Sequence, residues 1–155
     1  MRTGAAQMVT AVMITATCTF GADSSLGIWK LNVAKSKSTS TNPITSRIEV
    51  VESMPDGTLQ RTSTRQLKDG TAAKFSFRFK YDGKEYPVRG AAYDTFSARR
   101  LNANTTSFEE HKSGGKLHFT GQTVISTDGK TSTLTAKGTD EAGRPVVATL
   151  IFDKQ

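Results

Sequence analysis

A chain of 155 residues with 35% hydrophobic content has the size of one domain, and its apolar fraction suits a two-sided sheet better than a packed helical bundle. The net charge of +7 comes from Lys and Arg spread over nearly every segment, which argues against nucleic acid as a partner, since that footprint gathers basic and aromatic residues on one face. There is no G-x-S-x-G elbow, phosphate-binding glycine loop or H-E-x-x-H run, so the chain is read as a non-enzyme with no cofactor.

Residues 1–22 have the make-up of an export signal. Arg2 gives a positive start, Ala5 to Phe20 form an uncharged, largely apolar run, and small residues follow. That run is shorter than the ~20 residues of a membrane-spanning helix. Cleavage near residue 22 would leave an exported domain, periplasmic or secreted, over residues 23–155. The single cysteine, Cys18, falls inside the leader. Thr15 and Thr17 stand where a bacterial lipoprotein signal wants an aliphatic and a small residue, so lipid attachment is disfavoured and the mature chain has no disulfide.

Beyond the leader, turn signals recur at near-regular intervals: Asp56-Gly57, Asp69-Gly70, Asp82-Gly83, Gly114-Gly115, Asp128-Gly129 and Ala142-Gly143. Asp-Gly supplies the positive φ angles of tight hairpin turns. The segments between them are rich in Thr, Val, Phe, Ile and Tyr and alternate in polarity, as strands do. A two-residue loop at Asp56-Gly57 puts Ile48, Val50 and Met54 inside, with Glu52 opposite Arg61. At Asp69-Gly70 a three-residue turn sends Arg61 and Arg65 to the phenylalanine face, a two-residue turn sends Thr62 and Thr64 there, and both alternatives stand. A two-residue loop at Asp82-Gly83 pairs Phe79 with Tyr86. Glycine turns at 114–115 and 128–129 pair Glu110 with Phe119, His111 with His118 and Gly121 with Ala136. A three-residue loop at 141–143 pairs Ala136 with Ala148 and Leu134 with Leu150.

About ten strands with one apolar face and no covering helix are best satisfied by closure. The expected fold is all-β, a single antiparallel up-and-down meander barrel of about 8–10 strands. Gly27-Ile28-Trp29 opens its first strand and resembles the G-x-W signature of the lipocalin barrel. The run from Gly27 to Lys37 is similar to the opening of small exported bacterial proteins described as lipocalin-like. That resemblance implies that Trp29 closes one end of the barrel and that the polar stretch Val33 to Asn42 forms a lid over the cup. The T-D-Y motif, the disulfide cysteines and the terminal helix of lipocalins are absent, and the fatty-acid-binding-protein arrangement fits the strand count equally well.

Arg61 and Arg65, with Arg100 and Glu110, are candidate inward charges. An arginine inside a hollow barrel clasps a carboxylate through two parallel hydrogen bonds. Phe75, Phe77, Phe79, Tyr86 and Phe119 would supply an apolar lining around them. His111 and His118 oppose each other beside Glu109, but on the outer face and without a third histidine, so no metal site is assigned. These residues point to an exported protein that binds a small hydrophobic molecule, with an acidic head group as one form of it. The alternative is a surface module with a filled core whose basic exterior meets an anionic envelope component. The two differ in whether the barrel is hollow.

Overall fold

The fold comes from a computed structural model that describes residues 22–155; apart from Ala22, the expected leader lies outside the described residues. Eleven antiparallel strands follow one another: β1 (Gly27–Leu31), β2 (Lys37–Ser38), β3 (Ile44–Ser53), β4 (Leu59–Leu67), β5 (Ala72–Phe79), β6 (Asp82–Pro87), β7 (Thr95–Arg100), β8 (Thr105–His111), β9 (His118–Ile125), β10 (Thr131–Thr139) and β11 (Pro145–Lys154). A single 3-10 turn, Val33–Lys35, is the only helical element among the described residues.

The strands form one sheet in the order β5-β4-β3-β1-β11-β10-β9-β8-β7-β6, with β2 paired to β11. Because β1 sits between β3 and β11, the sheet rolls into a nearly closed meander barrel whose one seam lies between β5 and β6. The expected barrel is thus present, of the type shared by lipocalins and fatty-acid-binding proteins. No strand pairing spans the seam, and the expected pairing of Phe79 with Tyr86 does not form; Tyr86 instead pairs with Phe96 of β7. Aromatic rings close the barrel there: Phe96 lies 5.0 Å from Phe77 and 5.1 Å from Phe79, centroid to centroid. Such pairs add about 0.5–1.5 kcal/mol each beyond their burial.

The later hairpins have the expected register. Glu110 faces Phe119, His111 faces His118, Gly121 faces Ala136, and Leu134 faces both Thr123 and Leu150. Gly121 is needed where it stands, because a Cβ there would meet the Thr135 carbonyl and lie 2.7 Å from the Phe108 ring. The first hairpin differs by one residue. Met54 donates its N–H to the Thr58 carbonyl at 2.8 Å, and Gly57 donates to the Met54 carbonyl at 3.0 Å, so the loop is Pro55-Asp56-Gly57. Gly57 has φ +77°, the left-handed third position of a three-residue hairpin loop. A shift of one residue moves a strand's whole apolar set to the other face. Arg47, Glu49 and Val51 therefore point inward, Ile48 and Glu52 are exposed, and Arg61 faces Val51 rather than Glu52.

The second loop, Lys68-Asp69-Gly70, also has three residues, closed by Leu67 N–H to the Thr71 carbonyl at 2.8 Å. It aligns Arg61 with Phe77, Ser63 with Phe75 and Arg65 with Ala73, so both arginines lie on the phenylalanine face. The polar stretch after β1 lines the mouth of the barrel and is in part tied to its wall. Ser38 and Lys37 pair with Ala148 and Thr149, taking over the β11 edge where β1 stops at Leu31 and Phe152. It builds wall and rim.

Two apolar clusters fill parts of the interior. Leu59, Phe75, Phe77, Phe79, Val88, Tyr93, Phe96, Ala98 and Leu117 pack beside the seam. Trp29, Leu31, Val51, Ile125, Leu150 and Phe152 pack across the barrel toward its lower end.

Candidate ligand cavity

Between these clusters the barrel is hollow. A cavity of about 800 Å³ opens at the upper end, between the rim stretch around Lys37 and Ser38 and the β10–β11 turn with Glu141 and Arg144. Its walls combine apolar side chains (Ile44, Leu67, Leu117, Phe119, Leu134, Leu150) with the polar groups of Arg47, Arg65, Tyr93 and Glu110. That volume falls within the range of small-molecule pockets, roughly 300–1,000 Å³. Below it lies a separate chamber of about 60 Å³ whose mixed lining includes Trp29, Ile125 and Phe152 beside Glu49, Arg61 and Arg100.

An ion triad borders the smaller chamber, and its Arg47 lines the cavity as well. Arg47 Nε donates to Glu49 Oε1 at 2.6 Å, and Arg61 Nε lies 3.3 Å from Glu49 Oε2, close enough for an ion pair but not aligned for a hydrogen bond. Arg47 and Glu49 are only 8% and 7% exposed. Burial pushes the Glu49 carboxyl up, yet the combined pull of Arg47 and Arg61 outweighs it and leaves the group below its ordinary range. Burial likewise pushes the Arg47 guanidinium down, and the Glu49 charge and hydrogen bond more than restore it. Arg61 also lies over Phe79 and Phe96, 5.1 and 5.0 Å from the ring centres. The triad carries one more positive charge than negative, but each of its two arginines is paired with a carboxylate.

Arg65 is not. Among the described residues no carboxylate lies within 4 Å of it and no hydrogen bond satisfies it. Its guanidinium instead stacks 5.1 Å from the centre of Phe75 and 5.9 Å from that of Tyr93. Burial and the neighbouring Arg47 charge lower its proton affinity below the ordinary value. Tyr93, 3% exposed, is held protonated because burial and the Glu110 charge push its phenol well above the usual range.

Of the eight side chains expected to meet a ligand, only Arg65 and Phe119 line the main cavity. Arg61 and Arg100 line the lower chamber. Arg100 is held there by Asp23 at 2.6 Å and stacks over Tyr81 at 4.4 Å, and so does not pair with Glu110. Phe75, Phe77 and Phe79 are 4%, 5% and 0% exposed and belong to the packed cluster at the seam. Tyr86 packs at the margin of that cluster and donates its hydroxyl to Asp82 at 2.9 Å. Trp29 lies at the lower end, its Nε1 donating to the Ser25 carbonyl at 2.9 Å. On the outside, His118 Nε2 and Glu109 Oε1 are 2.7 Å apart, and no group of three metal-ligating side chains occurs among the described residues.

Sequence reasoning missed Arg47, Glu49 and Tyr93. The signal for the first two was Pro55: Met-Pro-Asp-Gly favours proline at the first loop position, which lengthens the loop to three residues and turns Arg47 and Glu49 inward. Tyr93 sits in the connection between β6 and β7, where no strand periodicity exists to place it.

No protein-family model matches the chain, and no curated protein matches it in sequence. Among solved structures it is similar to a mutant of the fluorescent protein UnaG, with TM-score 0.53 and 13% identity, covering 85% of this chain and 96% of that one. It also matches EF1p2_mFAP2b bound to DFHBI, with TM-score 0.46, 12% identity and 84% and 93% coverage. A third match is mFAP1, a redesigned β-barrel bound to DFHBI, with TM-score 0.41, 14% identity and 81% and 92% coverage. The likeness to UnaG is one of fold, a single β-barrel running through nearly the whole of both chains.

Proposed function

We propose that the protein is an exported carrier of a small, largely apolar molecule with an acidic group, held in the upper cavity with Arg65 as its anchor. The observation that carries this reading is the unpaired Arg65 guanidinium in a cavity of about 800 Å³. Arg65 is half-buried; a charge held on a partly apolar wall with no ion pair is unfavourable, and a ligand carboxylate would satisfy it through two hydrogen bonds. A cavity of that volume also speaks against the module with a filled core. The composition of residues 1–22 supports export, and the G-x-W opening with Trp29 at the lower end supports kinship with the lipocalin-like exported barrels.

Titration with the fluorescent fatty acid 11-(dansylamino)undecanoic acid tests this. Saturable binding is expected, weakened roughly 10-fold or more by Arg65→Ala, the worth of a charge-assisted hydrogen bond. No binding, or binding indifferent to Arg65, would sink the anchored-carboxylate reading.

A further inference from the structure

The upper cavity holds a second charge without a direct ion-pair or hydrogen-bond partner, of opposite sign; it acts on Arg47 and Arg65 only through space. Glu110 of β8 faces Phe96 on one side and Phe119 on the other, and so projects from the inner face of the wall. It lines the cavity with Arg65. Among the described residues no Lys, Arg or His nitrogen comes within 4 Å of its carboxylate, and no side chain or backbone group hydrogen-bonds to it. Arg65 belongs to β4, which is separated from β8 around the ring by β5, β6 and β7. The two charges face the same space from different walls and do not meet. The Tyr93 hydroxyl, also without a protein partner among the described residues, lines the cavity with them.

A charge without a direct partner on a partly apolar wall is unfavourable, and two opposite charges on different walls, too far apart to pair, leave two places for a ligand's polar groups. We infer that the ligand has two polar points: an anionic group for Arg65 and, separated from it by apolar atoms, a hydrogen-bond donor (an N–H, O–H or ammonium) for Glu110. This rests on the binding reading above and narrows it to amphiphiles that also carry a donor. A site with a partly buried acceptor discriminates against analogues lacking the donor, because they cover the acceptor without satisfying it.

The test is displacement of bound 11-(dansylamino)undecanoic acid from purified wild-type protein, Glu110→Gln and Glu110→Met. The competitors are octanoic and dodecanoic acid and their ω-amino counterparts, 8-aminooctanoic and 12-aminododecanoic acid. At least one amino acid should compete on wild type and lose about 10- to 100-fold in affinity on both variants, the range of a hydrogen bond to a charged group. The plain acids should be unchanged or bind more tightly. Equal effects on both series, or none on either, would overturn the two-point reading, as would failure of both amino acids to compete on wild type. In those outcomes the dansyl acid still binds, so the broader reading survives. Absence of dansyl-acid binding to wild type overturns both.

Discussion

Glu49→Gln removes the one anion shared by two buried guanidiniums while keeping the shape of the side chain. Arg47 at 2.6 Å and Arg61 at 3.3 Å would then face each other across a neutral amide. Removing one partner of a buried ion pair typically costs about 3–5 kcal/mol. Arg61 retains 19% exposure of its side chain, and the chamber beside it has room for water, so the lower end applies, about 3 kcal/mol. For a domain of this length that is a fall in Tm of about 10 °C. Trp29 is the single tryptophan and is buried, which makes its fluorescence a direct probe of urea unfolding. The effect also has a defined pH dependence. In the folded state the Glu49 carboxyl lies below its ordinary value of 4.5, so its stabilisation is fully present above that value and is lost as pH falls through the folded one. The gap between wild type and variant should therefore be constant from pH 7 to about 5 and narrow below about pH 4. A loss under about 1 kcal/mol at pH 7, or a gap that ignores pH down to 3, would refute the triad as the support beside the smaller chamber.

Three further outcomes follow from the same structure. Ser63 is fully buried, its hydroxyl beside Glu49 and helping to hold that carboxyl low without meeting full hydrogen-bond geometry, so Ser63→Ala should change stability by no more than about 1 kcal/mol in urea unfolding, against the usual cost of a core substitution. The Asp94 carboxyl is lowered to about 2 by the Ser113 backbone N–H and by Lys112; the advantage of wild type over Asp94→Asn in thermal unfolding should hold down to about pH 4 and disappear as pH falls past 2. Arg100→Met releases Asp23 and the segment that carries the Ser25 carbonyl, and should cost about 1 kcal/mol while making Trp29 measurably more open to acrylamide quenching.

The later strands were legible because glycine turns and alternation pointed to the same register, from Phe108 to Phe152, and each hairpin checked the next. The earlier ones were not, because a three-residue loop and a two-residue loop look alike when only Asp-Gly is counted. Pro55 carried the missing information. A hydrophobic pattern was a poor guide there, since β3 places Ile48 outside and Arg47 and Glu49 inside, where they compensate each other. The inward position of Arg61 and Arg65 hung on a three-residue turn at Asp69, one of the two that the composition allows. The partner expected for Arg61 is Glu52, which leaves Arg65 the freer anchor; the longer first loop supplies Glu49 in its place. The seam was hidden for another reason: Asp82-Gly83 has the composition of a hairpin turn but lies inside β6, and β5 and β6 share no ladder while the rings of Phe77, Phe79 and Phe96 pack across the gap.

The ring is discontinuous in mid-chain, whereas its sequence-distant ends are joined, Trp29 beside Lys154 and Leu31 beside Phe152. The pairing that closes the barrel thus demands the largest loop-closure entropy, and folding speed should be governed by the meeting of β1 with β11. A circular permutant that links the outer ends of β1 and β11 and opens the chain at Lys80-Tyr81 would break no strand ladder and would make that closure local. It should fold faster than the natural order while keeping the same barrel, and it would separate the entropy of the connection from the strength of the sheet.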